Sequence, residues 1–255
     1  MADAGATRLG WRRWLALGVA LGLFVFDVLG HEWISRWCDT LSTEYGFGVF
    51  DHRARLILVI VCIGVVAGAL IARRKLLHTR VVLGVASLAV VSTLAHRFLI
   101  VNNVELVHLP QYALLAALFL AGGLSPRAAL ACTALAGILD ELHQYQVGTG
   151  LRPELTYLDY NDMLLNLLGG TWAIVLAAPA HLPALPAPSR RARVARWSAA
   201  ALFLAGAAVL AAVDPPGWTV HYGAFERAYY VLSSSLAVVL AAVLWAVPCY
   251  VIPRK

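Results

Sequence analysis

Apolar residues occur along this chain in long runs separated by short polar stretches. Eight runs predict membrane-spanning helices, although several contain about 15 to 17 apolar residues rather than the roughly 20 that cross a bilayer. The runs cover about residues 14–30, 56–72, 81–100, 108–122, 128–147, 159–178, 199–213 and 229–247. The pattern therefore predicts an all-α fold, a polytopic transmembrane helix bundle of about eight spans.

The stretches between these runs divide the chain into three regions. Residues 31–55 are polar with interspersed aromatic side chains, which predicts a segment lying at the membrane interface. The first run lacks a small-residue cleavage site and is predicted to be a retained anchor helix. A Pro-rich connector begins at Pro179. The predicted regions are 1–106 (N-terminal spans and interfacial segment), 107–178 (core) and 179–255 (connector and last two spans).

Composition supports a membrane protein. Hydrophobic residues make up 61% of the chain, charged residues 13%, and the mean hydropathy is +0.75, whereas soluble domains are roughly 45–50% apolar. The four cysteines are scattered singly, so neither a disulfide nor a metal site is expected. The net charge of +6 comes from bases dispersed between apolar runs, which does not predict a nucleic-acid-binding face.

The distribution of Lys and Arg predicts the orientation of the spans. With both termini in the cytoplasm, most bases fall in cytoplasmic segments, and Asp3 is the one acid there. The other acids then lie on the extracytoplasmic side or in the membrane near it. Polar residues within the fifth and sixth spans would face outward. The cytoplasmic bases are Arg8, Arg12, Arg13, Arg73, Arg74, Lys75, Arg80, Arg127, Arg190, Arg191, Arg193, Arg196, Arg254 and Lys255.

Two adjacent spans carry polar side chains that cost a few kcal/mol or more at membrane depth. On the fifth span, Asp140, Glu141 and Gln144 fall within about 100° of one another around the helix axis. On the sixth, Asp159, Asp162 and Asn166 form one stripe. The short connection between the spans predicts antiparallel neighbours. The stripes are therefore predicted to form two facing walls of one polar site.

Each of these residues also has a purely structural interpretation. Glu141 and Gln144 could bridge two helices by hydrogen bonds, and Asn166 could belong to a close-packed helix face. Asp159 could cap a helix N-terminus, with Asp162 complementing the helix dipole. This alternative does not explain why Asp140 and Glu141 meet the same end from another helix.

Among the histidines near the predicted outer side, the spacing to other polar residues distinguishes His108 from the rest. His108 opens a span and could be an ordinary interfacial side chain, but Tyr112 lies one turn deeper on the same face and could add a hydroxyl to a base. His143 projects away from Glu141 and is not assigned to the site. His31 and His96 have no spacing that indicates chemistry, and they are expected at solvated loop ends.

A set of short motifs follows in order along residues of about 100–178. They are His108 with Tyr112, Glu141 with Gln144, Arg152, and the D-x-x-D-x-x-x-N-x-x-G pattern of Asp159, Asp162, Asn166 and Gly169. In these motifs the chain resembles the VanZ-like family. One departure is that six residues, PELTYL, separate Arg152 from Asp159, where the family usually has only a few. The resemblance implies a multi-pass protein of the bacterial cytoplasmic membrane, connected with the cell envelope and with resistance to glycopeptide antibiotics.

The favoured functional hypothesis is an outward-facing site that binds, and in one form also processes, a membrane lipid or a lipid-linked or anionic envelope component. Glu141 or Asp159 would act as general base, and Arg152 would pair with a phosphate or carboxylate. No cofactor is expected, because the motifs for nucleotides, metals, serine hydrolysis and thiol chemistry are absent from the sequence. The binding residues would be His108, Tyr112, Asp140, Gln144, Arg152, Asp162 and Asn166.

Two other hypotheses remain open: a proton-coupled transporter, in which buried carboxylates relay protons, and a structural or accessory membrane subunit. The clustering of polar residues at one membrane face favours a one-sided site over the transporter.

The orientation gives the first testable prediction. If both termini are cytoplasmic, a cysteine introduced by Leu151→Cys should react with a membrane-impermeant thiol reagent added from outside. Labelling exclusively from the cytoplasmic side would overturn the predicted orientation.

Overall fold

The computed structural model describes residues 3–72, 79–100, 102–151, 158–177, 219–221, 228–230 and 232–252. The secondary-structure elements among these residues are α-helices, one 3₁₀ helix and one pair of short antiparallel strands. The helices are α1 (Asp3–Tyr45), α2 (Phe47–Ala72), α3 (Thr79–Phe98), the 3₁₀ helix (Asn103–Val107), α4 (His108–Ala121), α5 (Pro126–Leu151), α6 (Tyr160–Ala177) and α7 (Ser234–Val251). Strand β1 (Thr219–His221) pairs antiparallel with β2 (Ala228–Tyr230).

Five helical segments among the described residues are long and apolar enough to cross a membrane. The predicted helical chain with several membrane-spanning segments is confirmed at this level. Helices α5 and α6 are not among the five, which agrees with the polar residues they carry. The run at 199–213 lies outside the described residues, and the count of eight spans stays a prediction. The five segments are Gly10–Tyr45, Phe47–Ala72, Arg80–Phe98, Asn103–Ala121 and Ser234–Val251.

Two predicted boundaries differ from the structure. The first apolar run ends at residue 30, whereas α1 continues to Tyr45 and α2 begins at Phe47. Residues 31–55 are helical except for Gly46, and their location at the membrane interface stays a prediction. Gly46 joins the two helices with φ +81°, a backbone conformation that glycine adopts without steric cost. The last helix starts later than predicted: Tyr229 belongs to β2, and the Ser233 hydroxyl caps α7 by accepting from the backbone N of Leu236 at 3.4 Å.

Helix α6 lies at the centre of the bundle and contacts α3, α4, α5 and α7. Its residues from Leu164 to Thr171 are all buried. Close packing depends on two glycines. A Cβ at Gly169 would lie 2.5 Å from the carbonyl oxygen of Leu109 in α4, and one at Gly170 would lie 2.9 Å from Cγ2 of Thr133 in α5. The small residues therefore let both neighbouring helices approach the α6 backbone.

Several helices meet at the end of the bundle where α1 joins α2, here termed the hairpin end. Asn161, at the start of α6, donates from its amide to the carbonyl of Leu99 at 3.1 Å. Its amide oxygen accepts from the backbone N of Leu232, just before α7, at 3.0 Å. One buried amide thus joins the end of α3 to the starts of α6 and α7.

The contact between α4 and α6 gives a second prediction. Gly169→Ala should lower the free energy of unfolding by about 1–3 kcal/mol, because the added methyl meets backbone atoms that cannot rotate away. Gly68→Ala is the matched control, since a Cβ there would contact nothing within 4 Å. Thermal unfolding of the two purified variants beside the parent measures the difference. Equal stability of both variants would contradict the packing argument.

Candidate functional site

Helices α5 and α6 form two antiparallel walls of the candidate site. A Cβ at Gly137 would lie 2.8 Å from the Cβ of Asn166, and Gly170 faces Thr133 in the same way. Because both pairs are separated by four residues on each helix, the next step along this register places Glu141 opposite Asp162. Glu141 interacts electrostatically with Asp162, and also with His108, Asp159 and Asp140. The two polar stripes predicted from the sequence therefore face each other.

Helix α4 contributes two side chains from its first turns. His108 is buried, and its Nε2 lies 3.4 Å from Oδ2 of Asp162. The hydroxyl of Tyr112, which is 0% exposed, donates to Oδ2 of Asp140 at 3.0 Å. Their spacing of four residues puts both on the face that meets α5 and α6. His108 is thus an interior side chain rather than an interfacial one.

Helix α1 adds two residues that the sequence analysis did not assign to the site. Asp27 is buried, accepts a hydrogen bond from the side-chain amide of Gln111, and interacts electrostatically with Asp140 and His108. His31 interacts electrostatically with the same two residues. The expectation that His31 lies in a solvated loop end is wrong, because α1 continues past it. The available signal was that Asp27 and His31 are four residues apart, because residues with this spacing lie on the same face of a helix.

These residues are termed the polar cluster. It contains Asp27, His31, His108, Gln111, Tyr112, Asp140, Glu141 and Asp162.

Several buried polar atoms in and beside the cluster have no hydrogen-bond partner within the part of the chain that the structure describes. They include Oδ1 of Asp140, Oε1 of Glu141 and both amide atoms of Asn166. These three side chains belong to residues that are 1%, 2% and 0% exposed. An unpaired buried polar group costs about 1–3 kcal/mol. A ligand, a water molecule or a shared proton would satisfy these atoms. Nδ1 of His108 and Nε2 of Gln144 are in the same condition.

Asp159 has a structural role at the start of α6. Its Oδ1 accepts hydrogen bonds from the backbone N of Asn161 at 2.8 Å and of Asp162 at 3.3 Å. This is the geometry of a helix N-cap, which accounts for an aspartate at this position. The catalytic role assigned to Asp159 stays a prediction. Arg152 lies outside the described residues.

A second polar group, also at the hairpin end, holds α2, α3 and the 3₁₀ helix together. The backbone N of Asn103 donates to Oδ1 of Asp51 at 2.6 Å, and its side-chain amide donates to the other carboxylate oxygen. Nε2 of His96 lies 2.8 Å from Oδ1 of Asn103. The expectation that His96 lies in a solvated loop end is wrong, because it belongs to α3. Asp51 and Asn103 are far apart in sequence, and no motif connects them.

Among the described residues, no three His, Cys, Asp or Glu side chains are grouped closely enough to hold a metal ion. The four cysteines are free thiols in separate places. The carboxyl, imidazole and phenol groups of the polar cluster can donate and accept hydrogen bonds and can transfer protons.

The bond between Tyr112 and Asp140 gives a third prediction. Tyr112→Phe removes the hydroxyl and leaves a second oxygen of Asp140 without its buried partner, so the free energy of unfolding should fall by about 1–3 kcal/mol. Tyr45→Phe is the control, because Tyr45 is 51% exposed and its ring contact with Arg53 survives the change. Thermal unfolding at one pH measures both. A Tyr112→Phe protein as stable as the control would show that the bond contributes nothing.

The chain matches no protein-family model, no curated protein sequence and no solved structure. The VanZ-like resemblance thus rests on its short motifs, from His108 to Gly169.

Proposed function

We propose that this chain is a VanZ-like integral membrane protein whose polar cluster is a binding site for a lipid-linked or other envelope component, open toward the extracytoplasmic side of a bacterial cytoplasmic membrane. The observation that carries the proposal is the pair Asp140 and Glu141, which are buried between helices and each keep one acceptor oxygen without a partner among the residues that the structure describes. Ionisable groups at membrane depth are expensive and mark functional sites by default.

The position of the cluster supports a site that opens to one side. Its residues lie toward the hairpin end of α1, α4, α5 and α6. On the other side of the cluster, the segments 14–26 of α1, 113–121 of α4 and 163–177 of α6 contain no ionisable side chain. A proton relay across the membrane needs titratable groups or water along its whole length. These helices therefore favour a one-sided binding site over a proton-coupled transporter.

Exposed tryptophans on α1 indicate how deep in the membrane the polar cluster lies. Trp14 is 75% exposed and Trp33 is 67% exposed, and tryptophans are enriched at the two membrane interfaces. Nineteen residues of helix separate them by roughly 29 Å, which is close to the hydrocarbon thickness of about 30 Å. Asp27 would then lie about 9 Å below the level of Trp33. The cluster is therefore within reach of lipid head groups and of a carrier lipid.

The proposal assigns separate roles to the residues. Glu141, facing the pair of His108 and Asp162, is the candidate general base if the bound component is also processed. Arg152 is the next residue in the sequence after α5, and its planar guanidinium would contact a phosphate or carboxylate of the ligand. In this function the chain crosses the membrane about eight times, with both termini in the cytoplasm. The eight apolar runs and the distribution of Lys and Arg between them support this topology.

A fourth prediction tests the function in cells. Glu141→Gln and Arg152→Ala should abolish the activity while the protein still inserts at normal abundance. Asp159→Asn should abolish the activity if Asp159 acts as a general base, and should preserve it if Asp159 only caps α6, because Asn caps helices as well as Asp does. The measurement is sensitivity to a lipid-binding glycopeptide in cells with the parent or variant protein, with membrane abundance quantified by immunoblot.

Two further variants complete this experiment. Asn166→Ala should lower folded abundance, because it leaves a cavity beside Gly137 in the middle of the bundle. Asp39→Asn, on the exposed surface of α1, should behave like the parent. If all variants express and protect like the parent, the polar cluster is not the functional site and an accessory role replaces it.

A further inference from the structure

We infer that the polar cluster recognises a primary ammonium group of its ligand, an inference that rests on the function proposed above and names the chemistry of the ligand. It depends on unpartnered acceptor atoms, on the charge of the cluster and on its shape.

The unpartnered acceptors match the donors of an ammonium group. Oδ1 of Asp140, Oε1 of Glu141 and Oδ1 of Asn166 are buried without hydrogen-bond partners among the described residues. Asn166 packs against Gly137, which lies one helical turn from Glu141, so its amide lies beneath the cluster. A primary ammonium offers three N–H donors and no acceptor. Its three donors equal these unpartnered oxygens in number. The donors Nδ2 of Asn166 and Nε2 of Gln144, likewise unpartnered within the described part of the chain, would then pair with acceptor atoms elsewhere in the same ligand.

The charge of the cluster favours a cation. Four carboxyl groups, those of Asp27, Asp140, Glu141 and Asp162, lie together with His31 and His108. His108 already pairs with Asp162. Carboxyl groups held together in a medium of low dielectric constant lose their mutual repulsion either by taking up protons or by binding a cation, and an ammonium group of the ligand would supply that cation. A phosphate group placed among these carboxylates would add to the repulsion, so any phosphate of the ligand would lie outside the cluster.

The shape of the cluster favours an ammonium over a metal ion. A divalent metal draws its oxygen ligands to within about 2.0–2.6 Å, and no three suitable side chains among the described residues are grouped for this. Hydrogen bonds from an ammonium to carboxylates span about 2.7–2.9 Å between heavy atoms and tolerate a wider arrangement. A trimethylated ammonium has no N–H and would leave the three oxygens unpaired. The site should therefore discriminate between these two head groups.

Asp27 extends the ammonium site beyond residues 100–178, which carry the family resemblance. Gln111 donates to its carboxylate and fixes its orientation beside Asp140. Helix α1 therefore borders the polar cluster, and the carboxyl group of Asp27 adds to the acidic groups that would surround the ammonium.

Lipid binding by the purified full chain in detergent tests this inference as a fifth prediction. The probes are short-chain phosphatidylethanolamine, phosphatidylcholine with the same acyl chains, free ethanolamine and a polyprenyl phosphate, with binding measured by native mass spectrometry and by the shift in unfolding temperature. The parent should bind phosphatidylethanolamine at least about tenfold more tightly than phosphatidylcholine, a difference of about 1.4 kcal/mol, because only the primary ammonium can donate hydrogen bonds to the cluster.

Matched variants locate the preference. Glu141→Gln and Asp27→Asn should each lose it, whereas Asp39→Asn should keep it, because Asp39 is an exposed acid of the same helix as Asp27. Size-exclusion chromatography verifies folding. If Glu141→Gln does not fold, two measurements decide the result. They are the preference of the parent for phosphatidylethanolamine over phosphatidylcholine, and the loss of that preference in Asp27→Asn. Glu141-dependent binding of free ethanolamine would identify a soluble amine as the source, and its absence would identify the lipid.

The remaining outcomes separate this inference from the proposed function. Equal, Glu141-dependent binding of both phospholipids would overturn ammonium recognition and leave the binding site in place. Glu141-dependent binding of the polyprenyl phosphate, without any preference for the ethanolamine head group, would have the same meaning. If no probe binds in a way that depends on Glu141 or Asp27, both the ammonium site and the proposed function are wrong.

Discussion

Helices α3, α4, α5 and α7 all pack against α6, which is buried from Leu164 to Thr171. Protein surrounds this helix along most of its length, so it need not be apolar enough to face lipid, and it can carry Asp162 and Asn166. Small residues make that burial possible, since Gly169 and Gly170 let α4 and α5 approach its backbone. The same close approach brings the polar side chains of three helices within reach of one another.

This arrangement explains how the bundle holds two helices, α5 and α6, that are not among its candidate membrane spans. Helices α2 and α7 expose large apolar side chains such as Ile57, Ile63 and Val238, as expected of helices that face lipid. Helices α5 and α6 turn Glu141 and Asp162 inward, where His108 and Tyr112 supply the facing polar groups. The outer face of α5 still exposes apolar residues such as Leu135 and Leu139, so its acidic residues are confined to the face that meets α4 and α6.

Local patterns in the sequence predicted much of this site, and contacts between distant segments were missed. The stripe of Asp159, Asp162 and Asn166, and the face shared by His108 and Tyr112, follow from the helical period and were visible in the chain. Asp27 was not assigned, because its partner Gln111 is 84 residues away. The sequence predicted an interfacial segment at 31–55 because aromatic and polar residues mix there, whereas the structure forms the end of α1, Gly46 and the start of α2 from this stretch. Similar composition fits both arrangements, and only the packing distinguishes them.

The group of Asp51, Asn103 and His96 connects the hairpin to the site. Asp51 holds the 3₁₀ helix through two hydrogen bonds from Asn103, and this helix leads directly into His108 at the start of α4. Helix α1 reaches the same place from the other side, with Asp27 bound to Gln111 of α4. The start of α4 is thus fixed by both helices of the hairpin. Because His108 must lie close to Asp162 to pair with it, the hairpin positions the polar cluster even though most of its own residues face away from it.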